Sequence, residues 1–545
     1  MGLRITVLIG IFAFLYGVLG LRMYDLQLRQ GESLSAQAAS IHELAGILTP
    51  KRGSIYFTDK GGGRIPVGIN RDYPSVYAVP KEVTDPKKAA GVLASVTGKS
   101  ESELIKILSK KNDPYEPLVK KATEEQVALL KKYNLLGIYV GEEPARFYPL
   151  GRVSSHLVGF TSIANDAFGV GVGRYGAEAH YNDQLAGRPG KTRGDRLVKP
   201  KNGEDIYLTI DRNIQVQAER TIDKLINQYG AVGGTVIVME PKTGKVLAML
   251  SKPDFDPNSY GQYEISTFLN PSVQSVYEPG SIFKVITMSA GIDSGKITPE
   301  TTFVDTGSLT LNGKTIKNWD LKTHGKLTMT NVIEKSVNTG AAFAERTMGD
   351  DTFYDFIVKM GLKEPTEIDL PGEVTGSLRP LEVDKREINF ATASYGQGIS
   401  VTPMRLITAV AAIANGGVLV RPFTNAESKP KAVRRVMSEE TSRQVIGMMV
   451  SAVDKAQIAR IPNYNVAGKT GTAFVPNFRT GGYTEQVINT YIGFAPAYDP
   501  QFIILIRLDK PAGAPLAGLT VVPTFRDLAE FVINYYGIPP DNIAR

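Results

Sequence analysis

Residues 5–21 form an uncharged run of 17, ITVLIGIFAFLYGVLGL, with Arg4 before it and Arg22 behind it. A helix of that length, rising ~1.5 Å per residue, reaches the short end of what spans a bilayer. The run is longer than the roughly 7–15 apolar residues of a cleaved signal. The nearby small-residue cleavage pattern, Ala36-Gln37-Ala38, lies too far past Leu21 to serve. A buried core helix is the alternative, but an all-round apolar first segment bracketed by Arg reads as one uncleaved membrane anchor. Arg4 stands against Arg22 and Arg29, so charge alone sets no orientation. The shortness of residues 1–4 predicts that the bulk of the chain lies on the far side.

The rest of the chain is globular in composition. Of 545 residues, 42% are hydrophobic and 21% charged, which excludes a disordered chain and a polytopic membrane protein and suggests about three folding units. There is no Cys, which removes disulfides, thiolate metal sites and a Cys nucleophile, and fits an oxidising compartment. The four His (His42, His156, His180, His324) lie far apart, against a His-built metal site; they read as packing or loop residues. The formal charge of +7 is compatible with an anionic membrane, a polyanion or nucleic acid. The basic pairs Lys110-Lys111, Lys120-Lys121 and Lys131-Lys132, interspersed with Glu, read as solvated helix faces rather than a binding patch.

Three segments follow the run. Residues 22–45 continue as a polar-apolar helix until Pro50-Lys51-Arg52-Gly53 breaks it. A mixed pattern of short strands (75–79, 136–140) and Lys/Glu-rich helices leads to residues 187–205, GRPGKTRGDRLVKPKNGED. That stretch is poor in core residues and marks the main boundary. Residues 234–251 then read as a hairpin around Glu240–Gly244, residues 281–450 as mostly helical, and TYIGFAPA with QFIILIRL as a second hairpin before a last helix. Strands, helices and strands again suggest one sheet split by a helical insertion. The expected division is an anchor over 1–28, a mixed α+β unit over 29–204 and a larger domain over 205–545.

With Cys absent and His sparse, covalent catalysis requires Ser or Thr activated by Lys. Ser281-Ile-Phe-Lys284 follows Pro279-Gly280, so a helix starting there puts Ser281 and Lys284 one turn apart on one face. The apolar neighbours Phe283, Val285 and Ile286, together with the positive helix end, favour the neutral amine that can accept the Ser proton. The same helix start leaves the Ser281 N–H free to stabilise an oxyanion. Ser428-Lys429-Pro430-Lys431 repeats the spacing, but Pro430 opposes a helix and the segment reads as surface loop.

Two more clusters accompany the pair. Ser336-Val337-Asn338 sits at a helix junction, where a hydroxyl can relay a proton and an amide can hold a peptide, or where the serine simply caps a helix. Lys469-Thr470-Gly471-Thr472 reads as a strand whose glycine admits a ligand backbone. Lys469 and the Thr hydroxyls could bind a carboxylate there, with the Thr472 N–H completing an oxyanion hole. Lys242-Thr243-Gly244 is a hairpin turn preceding Ser281, in the wrong chain order.

In order, Ser281, Ser336 and Lys469 match the motif set of penicillin-binding proteins and class A β-lactamases. The chain resembles a class B penicillin-binding protein, a peptidoglycan D,D-transpeptidase, over nearly its whole length. Glu278-Pro279-Gly280-Ser281, Ser394-Tyr395-Gly396-Gln397-Gly398 with Thr402-Pro403, and Leu370-Pro371-Gly372-Glu373 carry the likeness. Earlier in the chain Arg146-x-Tyr148-Pro149, His156-x-x-Gly159-Phe160 and Gly173-x-x-Gly176-x-Glu178 look like that family's pedestal signatures. One signature departs: RGSIYFTDKGG carries Asp59 out of its usual place.

The resemblance implies a pedestal domain and a transpeptidase domain, the latter an antiparallel sheet with helices on both faces. It implies that Ser281 attacks the penultimate D-Ala of a stem peptide and Lys284 takes its proton. Ser336 then protonates the leaving D-Ala, Asn338 orients the acyl chain, and Lys469, Thr470 and Thr472 hold the terminal carboxylate beside Gly471. A second stem peptide's amine resolves the ester, penicillins acylate Ser281, and neither metal nor cofactor is called for. Implied partners are the membrane, a polytopic lipid II glycosyltransferase and other wall-synthesis proteins, with no nucleic acid. SVYAVPKEV (75–83) is more similar to division-type than to elongation-type members. The rival readings are an elongation-type enzyme, a membrane-anchored scaffold or β-lactam sensor, and a β-lactamase, for which Glu367–Leu370 approaches a hydrolytic loop but Pro371 replaces its Asn.

Overall fold

The structure is a computed structural model that describes residues 14–18, 49–110, 113, 115–162, 171–193, 196–477, 479, 481–513 and 515–542. Most of the apolar run 5–21 and the expected helix over 22–45 lie outside the described residues, and among those described no helix is long and apolar enough to cross a membrane.

The first unit is built on β1 (Ile55–Thr58), β2 (Arg64–Ala78), β3 (Glu116–Val119) and β4 (Ile138–Phe147). Helices α1 (Pro86–Thr97), α2 (Glu101–Leu108) and α3 (Glu124–Tyr133) lie between these strands in sequence. Each helix starts on a side-chain cap, Asp85, Ser100 and Thr123, that accepts a backbone N–H of the first turn. Their apolar residues pack with Val76 and Ala78 of β2 in one small core. The basic pairs divide: Lys131 and Lys132 are exposed in the last turn of α3, whereas Lys120 and Lys121 follow β3 and lie on no helix. β5 (Ile206–Leu208) returns to pair in parallel with β1.

Glu178 explains why the scattered pedestal signatures occur together. Its carboxylate is fully buried and accepts from Arg52 Nε (2.8 Å) and Arg146 Nε (2.6 Å), with Tyr148 Oη at 3.3 Å. The displaced Asp59 accepts the N–H groups of Gly61 and Gly63 in the β1–β2 turn.

The second unit has a five-stranded sheet: β6 (Gly233–Met239), β7 (Val246–Lys252), β8 (Ala467–Pro476), β9 (Tyr483–Ala495) and β10 (Phe502–Asp509). The spatial order is β7-β6-β10-β9-β8, and every neighbouring pair is antiparallel. The first and last hairpins therefore share one sheet, joined where β6 pairs with β10 from Gly233↔Asp509 to Met239↔Ile503. FIILI (502–506) is apolar without alternation because both sheet faces are covered. On one face, Val236, Val238, Ile504 and Ile506 meet α4 (Arg212–Tyr229) and the last helix (Val521–Tyr536). On the other, Ile237, Ile503, Leu505 and Phe494 meet the helical insertion.

Within that insertion, α5 (Phe283–Asp293) is buried from Phe283 to Ile292, its polar Lys284, Thr287 and Ser289 included. The helical expectation over 281–450 fails at residues 302–328. There Thr302–Asp305 pairs with Gly325–Thr328, and Ser308–Leu311 pairs with Lys314–Lys317. Asn312-Gly313, both at positive φ (47° and 73°), makes the two-residue turn that selects a hairpin.

The two units meet through His156 and Phe160 of the pedestal signatures and through Arg152 and Tyr181 near them. Phe160 stacks on Tyr260 (centroids 4.2 Å), Arg152 donates to Asp254 (2.9 Å), and Tyr181 Oη donates to Asp369 (2.6 Å). His156 is buried edge-on to Phe255 with Nε2 2.8 Å from the Thr267 carbonyl; burial drops its pKa to about 4.

Candidate active site

The chain enters the site through Pro279-Gly280, where Gly280 at φ +58° packs against the Thr472 carbonyl of β8. A short 3-10 turn, Gly280–Ile282, leads into α5 and leaves Ser281 half-exposed above it. Lys284 follows one turn on, fully buried. Its Nζ lies 3.0 Å from Ser281 Oγ, 3.1 Å from Ser336 Oγ, 2.8 Å from Asn338 Oδ1 and 2.6 Å from the Ser336 carbonyl. Burial pulls the Lys284 pKa well below the ordinary lysine value, and the nearby Lys469 charge pulls it further.

Helix α6 (Met329–Lys335) ends at Ser336, which takes a left-handed conformation (φ +55°). The chain reverses there, and α7 (Asn338–Met348) starts two residues later. That reversal turns both the hydroxyl and the Asn338 amide toward Lys284, and Asn338 Nδ2 is pinned by the Lys317 carbonyl (2.9 Å). Trp319 is exposed beside this junction and donates to the Lys335 carbonyl at 3.0 Å.

Lys469 reaches the same hydroxyl from the sheet, Nζ to Ser336 Oγ 3.0 Å, with the Thr470 carbonyl at 3.1 Å and Thr470 Oγ1 at 3.2 Å. Its burial lowers the pKa to about 7. Among the described residues strand β8 pairs with β9 alone, and its Gly471 approaches the turn that carries Ser281. Gly471 permits the approach: a Cβ there would lie 2.8 Å from the Pro279 carbonyl oxygen and 3.1 Å from Ile282. Thr470 and Thr472 are half-buried along this strand.

Ser281, Lys284, Ser336, Asn338 and Lys469 thus converge from two helices, a helix junction and a sheet edge. The second S-x-x-K copy does not join them; Ser428, Lys429 and Lys431 are exposed in a loop. Glu367 sits at φ +59° with an exposed side chain 4.0 Å from Lys431, on the surface rather than over the serine. Sequence reasoning missed two partners of the nucleophile turn. Gly396 accepts from the Gly280 N–H (3.1 Å), and Tyr483 donates to Glu278 (3.0 Å). The Ser394–Gly398 motif was a signal for the first; no local pattern flags Tyr483.

A serine beside a buried lysine whose pKa is pulled down, a second hydroxyl between two lysines, and a strand at the edge of the described sheet define a serine acyltransferase site. The description "Penicillin binding protein transpeptidase domain" matches residues 234–530, and "Penicillin-binding Protein dimerisation domain" matches residues 47–208. The chain belongs to the class B penicillin-binding proteins. It is 34% identical over 571 aligned residues to stage V sporulation protein D of Bacillus subtilis, covering 99% of this chain and 86% of that protein. It is 28% identical to peptidoglycan D,D-transpeptidase FtsI of Escherichia coli K12, covering 95% and 88%. The crystal structure of a peptidoglycan synthetase from Bifidobacterium adolescentis superimposes with TM-score 0.70 at 25% identity, covering 91% of this chain and 97% of that one.

Proposed function

We propose that this protein is a peptidoglycan D,D-transpeptidase that cross-links stem peptides through a Ser281 acyl-enzyme and is acylated by β-lactams at the same atom. The observation that carries the reading is the 3.0 Å contact between Ser281 Oγ and a buried Lys284 whose neutral form is favoured. Ser281 Oγ attacks the carbonyl of the penultimate D-Ala while Lys284 Nζ takes its proton. The N–H groups of Ser281 and Thr472 face the developing oxyanion. Ser336, in reach of both lysines, returns the proton to the departing D-Ala nitrogen. Lys469, Thr470 and Thr472 hold the terminal carboxylate beside Gly471, and Asn338 orients the acyl chain. The amine of a second stem peptide then attacks the ester, and Ser281 leaves with a proton.

The proposed organisation is an anchor over 1–28, a pedestal over 29–204 and the transpeptidase domain over 205–545. The uncharged run 5–21 between Arg4 and Arg22 supports single-pass attachment to the cell membrane with the bulk of the chain outside the cytoplasm. In that setting a polytopic lipid II glycosyltransferase and other wall-synthesis proteins are the expected partners. The similarity of residues 75–83 to division-type members, and the FtsI relative, support a role in septal wall synthesis.

Labelling with a fluorescent penicillin tests the reading. The label is expected on the wild type and on Ser428→Ala and absent from Ser281→Ala; label retained in Ser281→Ala overturns it. Septal enrichment of a fluorescent fusion is expected, and uniform lateral enrichment would instead place the protein in elongation.

A further inference from the structure

Glu278 opens the stretch that presents Ser281, yet no step above uses it. Its half-buried carboxylate accepts from the Gly398 N–H at 3.1 Å and from Tyr483 Oη at 3.2 Å and 3.0 Å, one distance to each carboxylate oxygen. These donors come from different parts of the fold. Gly398 closes the loop after Ser394, and Tyr483 begins β9 opposite Pro476, the last residue of β8.

The backbone already ties the nucleophile turn to that loop. Tyr277 and Val401 exchange two hydrogen bonds of 3.0 Å, and the Gly280 N–H donates to the Gly396 carbonyl. Gly396 lies so close (φ +80°) that a Cβ on it would sit 2.3 Å from the Gly280 oxygen. On its other flank the turn approaches β8 at Gly471, Thr472 and Ala473. As the sheet edge, β8 is hydrogen-bonded along one side only, so nothing in its own ladder stops its far end from twisting away from Ser281. The Glu278–Tyr483 contact supplies that restraint, from a residue three positions before the nucleophile.

We propose that Glu278 is a positioning residue: it latches the Gly396–Gly398 loop and the far end of the β8–β9 hairpin to the nucleophile turn, and so sets the width of the groove between Ser281 and β8. The proposal rests on the reading of Ser281 as the nucleophile. It assigns Tyr483 a function through its hydroxyl alone, since the ring could fill the same space without it.

A double-mutant cycle on acylation by a fluorescent penicillin tests it. A hydrogen bond to a carboxylate is worth enough that Tyr483→Phe should lower the second-order acylation rate about tenfold. Glu278→Ala should lower it at least as much, and Glu278→Gln, which keeps an acceptor oxygen, less than Glu278→Ala. The double variant Glu278→Ala/Tyr483→Phe should be no slower than Glu278→Ala alone, because the hydroxyl has nothing left to hold. If Glu278→Ala does not fold, Tyr483→Phe alone carries the test, with the same tenfold loss expected against the wild type. Wild-type rates in Tyr483→Phe, or losses that multiply in the double variant, overturn the latch. A wild type that takes no label at Ser281 overturns the reading of the nucleophile instead.

Discussion

Lys284 and Lys469 share one hydroxyl: Ser336 Oγ stands 3.1 Å from the first amine and 3.0 Å from the second. Two ammonium ions on one hydroxyl in a buried site repel each other, so the pair prefers one charge to two. In the proposed mechanism Lys469 is the better place for that charge, because there it meets the substrate carboxylate. That leaves Lys284 free to take a proton.

Removing the shared hydroxyl separates the two amines from the proton path. Ser336→Ala is expected to lower Ser281 acylation by about a hundredfold, the low end of what a positioned proton donor contributes. Because Lys284 still touches Ser281, slow labelling should persist. Rapid-mixing measurements of penicillin labelling check this; an unchanged rate would remove Ser336 from the chemistry.

The pH profile should be bell-shaped. Acylation rises with pH as Lys284 gives up its proton, since only the neutral amine can accept from Ser281. It falls as Lys469 loses its ammonium, through about pH 7 in the free enzyme. A bound carboxylate stabilises that ammonium, so the falling limb of the maximal rate should lie at higher pH than that of the second-order rate. The two limbs belong to the lysine pair jointly. Both lysines have folded pKa values below their unfolded ones, so the folded chain binds fewer protons in the window between, and their contribution to stability grows as pH rises through it.

Gly471→Ala would push β8 away from the nucleophile turn, since its Cβ would meet the Pro279 carbonyl at 2.8 Å. A displacement of this size between Ser281 and the strand should cost about tenfold or more in acylation. The same substitution at Gly481, where a Cβ meets nothing within 4 Å, serves as the comparison in the same labelling assay, although its φ of +74° makes it a control for space rather than for backbone strain.

Glu178→Gln tests the pedestal. Arg52 and Arg146 are each 7% exposed, and the substitution leaves two buried guanidinium groups without their shared countercharge. Breaking a buried pair of this kind costs about 3–5 kcal/mol. Thermal or denaturant unfolding should show the loss, and a change under 1 kcal/mol would mean that the two arginines find other partners.

The residues that converge at the candidate site were largely legible in the chain, because they are carried by short patterns with a local geometry. Ser281 and Lys284 need only one helical turn to face each other, and Pro430 is enough to disqualify the copy at Ser428. The hairpin around Glu240–Gly244 and the apolar run 502–506 that begins β10 announce strands for the same local reason. Where a local signal was passed over, as at Asn312-Gly313, the reading went astray within the insertion. What the sequence could not decide is set by contacts across hundreds of residues. These are the meeting of Ser336 with two lysines, the joining of the first and last hairpins through β6 and β10, the approach of Gly471 to Pro279, and the hold of Tyr483 on Glu278. Each depends on burial and close packing between distant segments, and those arise only when the whole core closes. The candidate residue types were determined by the sequence itself; the lowered Lys284 pKa and the groove beside it exist only because the fold removes water from one and brings a sheet edge to the other.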